Sequence, residues 1–215
     1  MSDMNCPWKA VAFDCDGVIV DSFQLADDIL ADICRDRGIS YQSPSTLRAA
    51  FEVPDPWSYL DEVLDIQAAD VMKPLDDGYR RVPVFPAVAE AIRSLRQMDS
   101  PPRLIILTAN RSSTVRQRLA EEQLDQHFDH IWGSDTPGLP TGKAARLRHF
   151  TTQYELSPHE CCFVGDTRSD IDAGNTAGVF TIGVCWGGFH PEAALSAAKR
   201  VVRSPEEFCD CLALA

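Results

Sequence analysis

No stretch of the sequence approaches the roughly 18 consecutive apolar residues that span a bilayer, so no membrane association is expected. Basic residues are scarce: 20 Lys and Arg stand against 32 Asp and Glu, for a net charge of −12. A surface of that sign cannot replace the counterions of nucleic acid, which excludes non-specific nucleic-acid binding. The opening residues MSDMNCPWKA lack the basic segment, apolar stretch and small-residue cleavage site of a secretory leader, and a cytoplasmic location is expected. The eight cysteines, Cys6, Cys15, Cys34, Cys161, Cys162, Cys185, Cys209 and Cys211, include no CxxC pair. Without that spacing no zinc site is expected, and the thiols read as reduced, several of them buried in strands. Internal repeats and low-complexity segments are also missing.

What is present fits an ordinary globular chain. Of the 215 residues 45% are hydrophobic and 24% charged, enough for one large domain or a core with a modest insertion. Four short apolar runs, Ala10–Phe13, Leu104–Leu107, Cys161–Val164 and Val179–Val184, are apolar on both faces, as strands of a buried parallel sheet are. Helical patterns follow at Val88–Met98, Ser113–Gln123 and Lys143–Tyr154. The alternation predicts an α/β fold built on a doubly wound parallel sheet. Residues 23–84 differ: helical patterns at Gln24–Arg37, Ser45–Phe51 and Trp57–Leu64 succeed one another with no strand between. Pro44, Pro54, Pro56 and Pro74 punctuate this stretch, and Pro83 and Pro86 mark its return. The expectation is a core of residues 1–22 and 85–215 carrying an α-helical insertion at 23–84.

The first strand ends in AVAFDCDGVIVDS. Side chains two apart on a strand share a face, so Asp14 and Asp16 converge while Cys15 points away, and Gly17 permits a tight turn. A calcium loop is excluded, since positions 18, 19 and 25 hold Val, Ile and Leu where an acid or amide, Gly and Glu are needed. Other strand ends supply matching chemistry. RLIILT ends in the Thr108 hydroxyl, and CCFVGDTRSD in Asp166, with Asp170 one helical turn further on. In TGKAARL, Thr141 reads as a helix N-cap that puts Lys143 in the first turn. A cation there opposes the helix dipole, and locally unfavourable choices of that kind gather at functional sites.

Taken together, FDCDGVIVDS, Thr108 in LTANR, Lys143 and GDTRSDIDAGNTAG resemble, in order, the four motifs of the haloacid dehalogenase superfamily, specifically its phosphatase branch. The motifs cover essentially the whole chain, and the insertion lies where such enzymes carry a cap. TIGVCWGGFHPEAAL followed by VVRSPEEF further resembles the phosphoglycolate phosphatase-like subgroup, while DGVIVDS is shared with β-phosphoglucomutases.

The resemblance implies a Mg²⁺-dependent hydrolase of a small phosphorylated metabolite, acting as a monoester phosphatase through an aspartyl-phosphate, and a monomer or homodimer. Asp14 would be the nucleophile and Asp16 the general acid and base. Thr108, Lys143 and backbone N–H groups near Cys15, Asp16 and Ala109 would hold the phosphoryl oxygens. Asp14, Asp166 and the Asp16 carbonyl would bind the metal, with Asp170 holding its water shell or Lys143. A dianionic substrate beside these acids, with one lysine opposing them, calls for such a hard cation. Asp16 separates reactions within the family, because a departing halide needs no proton and an ester oxygen does. A sugar phosphomutase returning the Asp14 phosphate to another hydroxyl is the alternative reading, and a non-catalytic phosphate-binding relative is a third. Asp21 and Ser22 are supporting residues of the first motif. Arg111 reads as the start of a solvated helix face, and Arg48 as one of several insertion arginines able to reach the cleft. His127, His130, His149, His159 and His190 read as surface residues. Trp186–Gly188 fits a cleft rim or core packing followed by a turn.

Overall fold

The run Ala10–Phe13 is strand β1, and its alternate side chains enter two different cores. Val11 and Phe13 pack on one side, Ala10 and Ala12 on the other. A computed structural model of the protein describes residues 6–53 and 56–213; Pro54 lies outside the described residues. The strands that follow are β2 (Arg103–Leu107), β3 (His130–Trp132), β4 (Cys161–Gly165), β5 (Phe180–Val184) and β6 (Arg200–Val202). They form one parallel sheet in the order β3-β2-β1-β4-β5-β6. The fold class is α/β, as the alternation of runs predicts. β3 and β6, three residues each, were not among the expected strands.

Nine α-helices lie among the described residues: α1 (Phe23–Arg37), α2 (Ser45–Glu52), α3 (Pro56–Leu64), α4 (Ala68–Tyr79), α5 (Pro86–Arg96), α6 (Ser112–Glu121), α7 (Lys143–Gln153), α8 (Arg168–Ala177) and α9 (Pro205–Ala213). Helices α5, α6 and α9 cover one face of the sheet through Val88, Ile92, Leu119 and Phe208, while α7 and α8 cover the other through Leu147, Phe150 and Ala177. Pro86 starts α5, where its missing N–H costs nothing. Gly178 ends α8 in the left-handed conformation, at φ 79°.

Helices α1–α4 enclose a third core, which includes Leu30, Cys34, Leu47, Leu60 and Val71. Their segment leaves and re-enters the core beside itself: Asp21 N donates to Pro83 O at 2.8 Å and Phe85 N to Ile19 O at 3.0 Å, with Val20 bridging Val84. Pro74 corrects one expectation. It lies inside α4 rather than marking a break, because Val71, Leu75 and Tyr79, at four-residue spacing, bury one face of that helix. Among the described residues no helix is long and apolar enough to cross a membrane. The cysteines described, Cys6, Cys15, Cys34, Cys161, Cys162, Cys185 and Cys211, are free thiols; the Cys209 side chain lies outside the described residues.

Candidate active site

In a sheet of this order the connections depart in opposite directions from β1 and β4, leaving a crevice beyond their carboxyl ends. Asp14 follows β1, its N–H prolonging the ladder to Val164 O at 2.8 Å, and Asp166 follows β4. Gly17, at φ 74°, turns the chain back through its N–H to Val20 O at 2.8 Å. A side chain at Gly17 or at Gly187 would run into the Asp166 carboxylate, so bare backbone surrounds that acid on two sides.

The expected residues converge. Lys143 Nζ lies 2.9 Å from Asp14 Oδ2 and 2.6 Å from Asp170 Oδ1. Asp170 Oδ2 accepts from Thr167 Oγ1 at 2.5 Å and Thr167 N at 3.2 Å, so the acid that caps α8 also orients the lysine. Lys143 is the first residue of α7, but Gly142, not Thr141, occupies the N-cap position. Asp14 Oδ1 accepts from Cys15 N at 2.8 Å, so that one of the expected phosphate-facing N–H groups is engaged by Asp14 itself. Thr108 Oγ1 approaches Asp16 Oδ2 at 3.5 Å and accepts from Asn110 N at 2.9 Å. Asp14, Asp16, Ala109, Lys143 and Asp166 line one cavity of about 580 Å³.

Two residues here escaped the sequence reading. Tyr79, fully buried at the end of α4, donates its hydroxyl to Asp16 Oδ1 at 2.9 Å and lies 3.5 Å from Cys15 Sγ. No local motif marks it, because 63 positions separate it from Asp16. Asn110 lines the cavity with a buried side-chain Nδ2 that has no hydrogen-bond partner; its place two residues beyond Thr108 was the available signal. Other expectations resolve differently. His190 is buried rather than on the surface. Arg111 is exposed but reaches Asp76 of α4 at 3.3 Å. Arg48 donates to Gly188 O at 3.0 Å and packs over Phe23. Trp186 packs against Phe85 and Phe208 and donates to Val18 O at 3.2 Å, so it is a packing residue, and Gly187 is the residue beside the site.

The electrostatics are those of an acid cluster held out of water. Burial pushes the Asp14 carboxyl up to about 7; Lys143 pulls it down, while Asp170 and Asp16 push it further up. Burial, then the charges of Asp170 and Asp14, place Asp166 well above the usual carboxylate range. Burial also raises Asp16. Lys143 is buried too, which works against its charge, but the Asp14 and Asp170 carboxylates outweigh that and hold it protonated.

A divalent cation fits this donor set. Carboxylate oxygens of Asp14, Asp166 and Asp170 lie within 4.8 Å of one another. Asp166 is 2% exposed, and both of its carboxylate oxygens are buried without a hydrogen-bond partner. To stay ionised in such a place a carboxylate requires a counterion.

A stability prediction follows for the metal-free protein. Asp14, near 7 when folded, titrates near ~3.9 when unfolded. A carboxyl raised by folding opposes the fold increasingly as pH climbs from about 4 to about 7, and fully above that. In EDTA the Asp14→Asn variant is therefore expected to melt above the wild type at pH 8, with the gap closing toward pH 4. A variant that melts below wild type by the same margin at both pH values would contradict the assignment.

A family model for haloacid dehalogenase-like hydrolases matches residues 8–178, and the chain belongs to that family. A phosphoglycolate phosphatase of Chromobacterium violaceum is 28% identical over 220 aligned residues, covering 95% of this chain and 96% of that protein. A solved haloacid dehalogenase-like hydrolase of Streptococcus pneumoniae superposes with a TM-score of 0.76 at 22% identity, covering 95% of this chain and 98% of the other. A Thermotoga maritima protein provisionally assigned as a β-phosphoglucomutase gives 0.69 at 23%, covering 94% and 97%. At those identities the two structures speak for the fold alone.

Proposed function

We propose that the protein is a Mg²⁺-dependent phosphatase that hydrolyses a small organic phosphate monoester through a phosphorylated Asp14. The observation that carries this reading is the meeting of Asp14, Lys143 and Asp170 beside Asp166, whose two carboxylate oxygens have no partner. Asp14, Asp166 and the Asp16 carbonyl would hold the ion. When bound, Mg²⁺ supplies positive charge that lets a dianionic phosphate approach a carboxylate.

In the first half-reaction an Asp14 carboxylate oxygen attacks phosphorus, and the bond to the ester oxygen breaks as Asp16 gives that oxygen its proton. This needs a protonated Asp16, and burial raises its carboxyl in that direction. Tyr79 and Thr108 hold the Asp16 carboxyl from two sides. In the second half-reaction Asp16 takes a proton from water, the resulting hydroxide attacks phosphorus, and Asp14 departs as carboxylate. Asp16 ends protonated, and the net reaction is ester plus water to alcohol plus phosphate. Lys143, kept charged by Asp14 and Asp170, stabilises negative charge on the transferring oxygens. Residues 23–84 act as a cap that closes the crevice and selects the alcohol.

Initial rates of phosphate release test the reading. p-Nitrophenyl phosphate, and phosphoglycolate because it appears in relatives' names, belong in the first panel with sugar phosphates. Hydrolysis with Mg²⁺, loss to background in EDTA and recovery on Mg²⁺ addition are expected. Activity that survives exhaustive chelation, or no phosphate release from any ester, would overturn it. Isomerisation of a hexose 1-phosphate without phosphate release would move the assignment to a mutase.

A further inference from the structure

The cavity that contains the catalytic acids has walls of a different chemistry from its floor. We infer that the organic part of the substrate is apolar: the site takes the phosphate monoester of a hydrophobic alcohol or phenol rather than of a short carboxylic acid or a sugar. The inference rests on the phosphatase reading and adds the substrate class.

Above Asp14, Asp16, Lys143 and Asp166 the cavity is walled by the helical insertion. Leu47, Phe51, Trp57, Leu60, Met72 and Leu75 contribute from α2, α3 and α4, with the buried Phe189 from the segment after β5. Phe189 packs edge-on against Phe23 and Phe51, at centroid distances of 5.1 and 4.8 Å, so it and the insertion form one apolar surface. Polar lining side chains such as Asn110, Ser134 and Thr167 come from core loops at the floor, with Ser22 at the foot of α1. Floor and walls are continuous, so the organic group of an ester whose phosphorus sits at Asp14 has to lie against the apolar part.

Charge points the same way. Among the described lining residues Lys143 is the sole lysine or arginine, and it is engaged by Asp14 and Asp170. Residues 1–5, 54–55 and 214–215 contain neither type. The arginines placed to help are committed elsewhere: Arg48 to Gly188 O and the Phe23 ring, Arg111 to Asp76. A substrate carboxylate would therefore lose its water here without gaining a cation, beside an acid cluster on a chain of net charge −12. Sugar hydroxyls lying against the leucine, phenylalanine and methionine side chains of the wall would lose hydrogen bonds to water that those side chains cannot replace. Size agrees. About 580 Å³ is roughly four times a cavity of ~150 Å³ that takes up benzene, so a two-carbon acid would leave most of it unfilled.

The test uses the full chain with Mg²⁺ and a series of n-alkyl phosphates from ethyl to hexyl, whose leaving alcohols are chemically alike. Rates on p-nitrophenyl phosphate, phosphoglycolate and glucose 6-phosphate are measured beside them. kcat/KM is expected to rise about 3- to 4-fold per methylene, or ~10²-fold from ethyl to hexyl, with phosphoglycolate below ethyl phosphate. A flat or falling series, or phosphoglycolate or the sugar phosphate outperforming hexyl phosphate, overturns the inference while leaving a phosphatase in place. If no ester is hydrolysed, the phosphatase reading falls. Calorimetry with hexyl- and methylphosphonate, which differ by five methylenes, then decides the wall, a hexyl advantage of ~10²-fold or more supporting it and a smaller one refuting it. Met72→Asp should reduce kcat/KM on hexyl phosphate about tenfold more than on ethyl phosphate; equal losses count against the wall as the binding surface.

Discussion

Replacing Asp14 with asparagine is expected to lower kcat on any phosphate ester by about 10⁴-fold or more, the scale seen when a catalytic nucleophile is removed. The exchange keeps shape and one acceptor oxygen, so the Cys15 N–H retains a partner, and Lys143 keeps Asp170. What disappears is the carboxylate proposed to form the bond to phosphorus. Loss of activity should therefore come with a fold at least as stable as wild type in EDTA at pH 8, because a buried anion has been removed. This pairing separates a missing nucleophile from a damaged protein. Steady-state activity within tenfold of wild type would sink the nucleophile assignment.

Asp16→Asn should be the second largest effect, and it should depend on the leaving group. An alkoxide leaves poorly unless protonated, so alkyl phosphate hydrolysis should fall by roughly 10²- to 10⁴-fold. p-Nitrophenolate leaves without a proton, so the first half-reaction should survive on that ester. The second still lacks its base, and phosphorylated Asp14 should accumulate. Stopped-flow measurement is expected to show a burst of p-nitrophenolate close to one equivalent per enzyme, followed by slow turnover. Equal losses on both esters with no burst would place the proton transfer on another group.

The core of this site is legible in the sequence because its parts sit at strand ends, where an apolar run stopping at an acid or hydroxyl is itself a signal. Asp14, Thr108 and Asp166 all follow that rule. Lys143 was visible as a cation at the wrong end of a helix, a placement explained by the Asp14 and Asp170 carboxylates it meets. β3 and β6 escaped because three residues are too few to show a period. α4 was hidden by Pro74, although Val71, Leu75 and Tyr79 carried the helical spacing. Tyr79 could not be linked to Asp16 from sequence, since their contact exists only once the insertion returns to the sheet. The apolar cavity wall was invisible for a similar reason. Its leucines and aromatics look like ordinary core residues until the space between them is seen.

The two crossings between sheet and insertion run side by side, Val20 against Val84 and Phe85 against Ile19. Whatever lies between them therefore departs from and rejoins the sheet at a single doorway, and the wiring of the strands is indifferent to its length or make-up. On the proposed reading, selectivity in such a molecule is an interchangeable fitting: new helices mounted on the same doorway, with a tyrosine kept where Tyr79 meets Asp16, would present a different guest to the same acids.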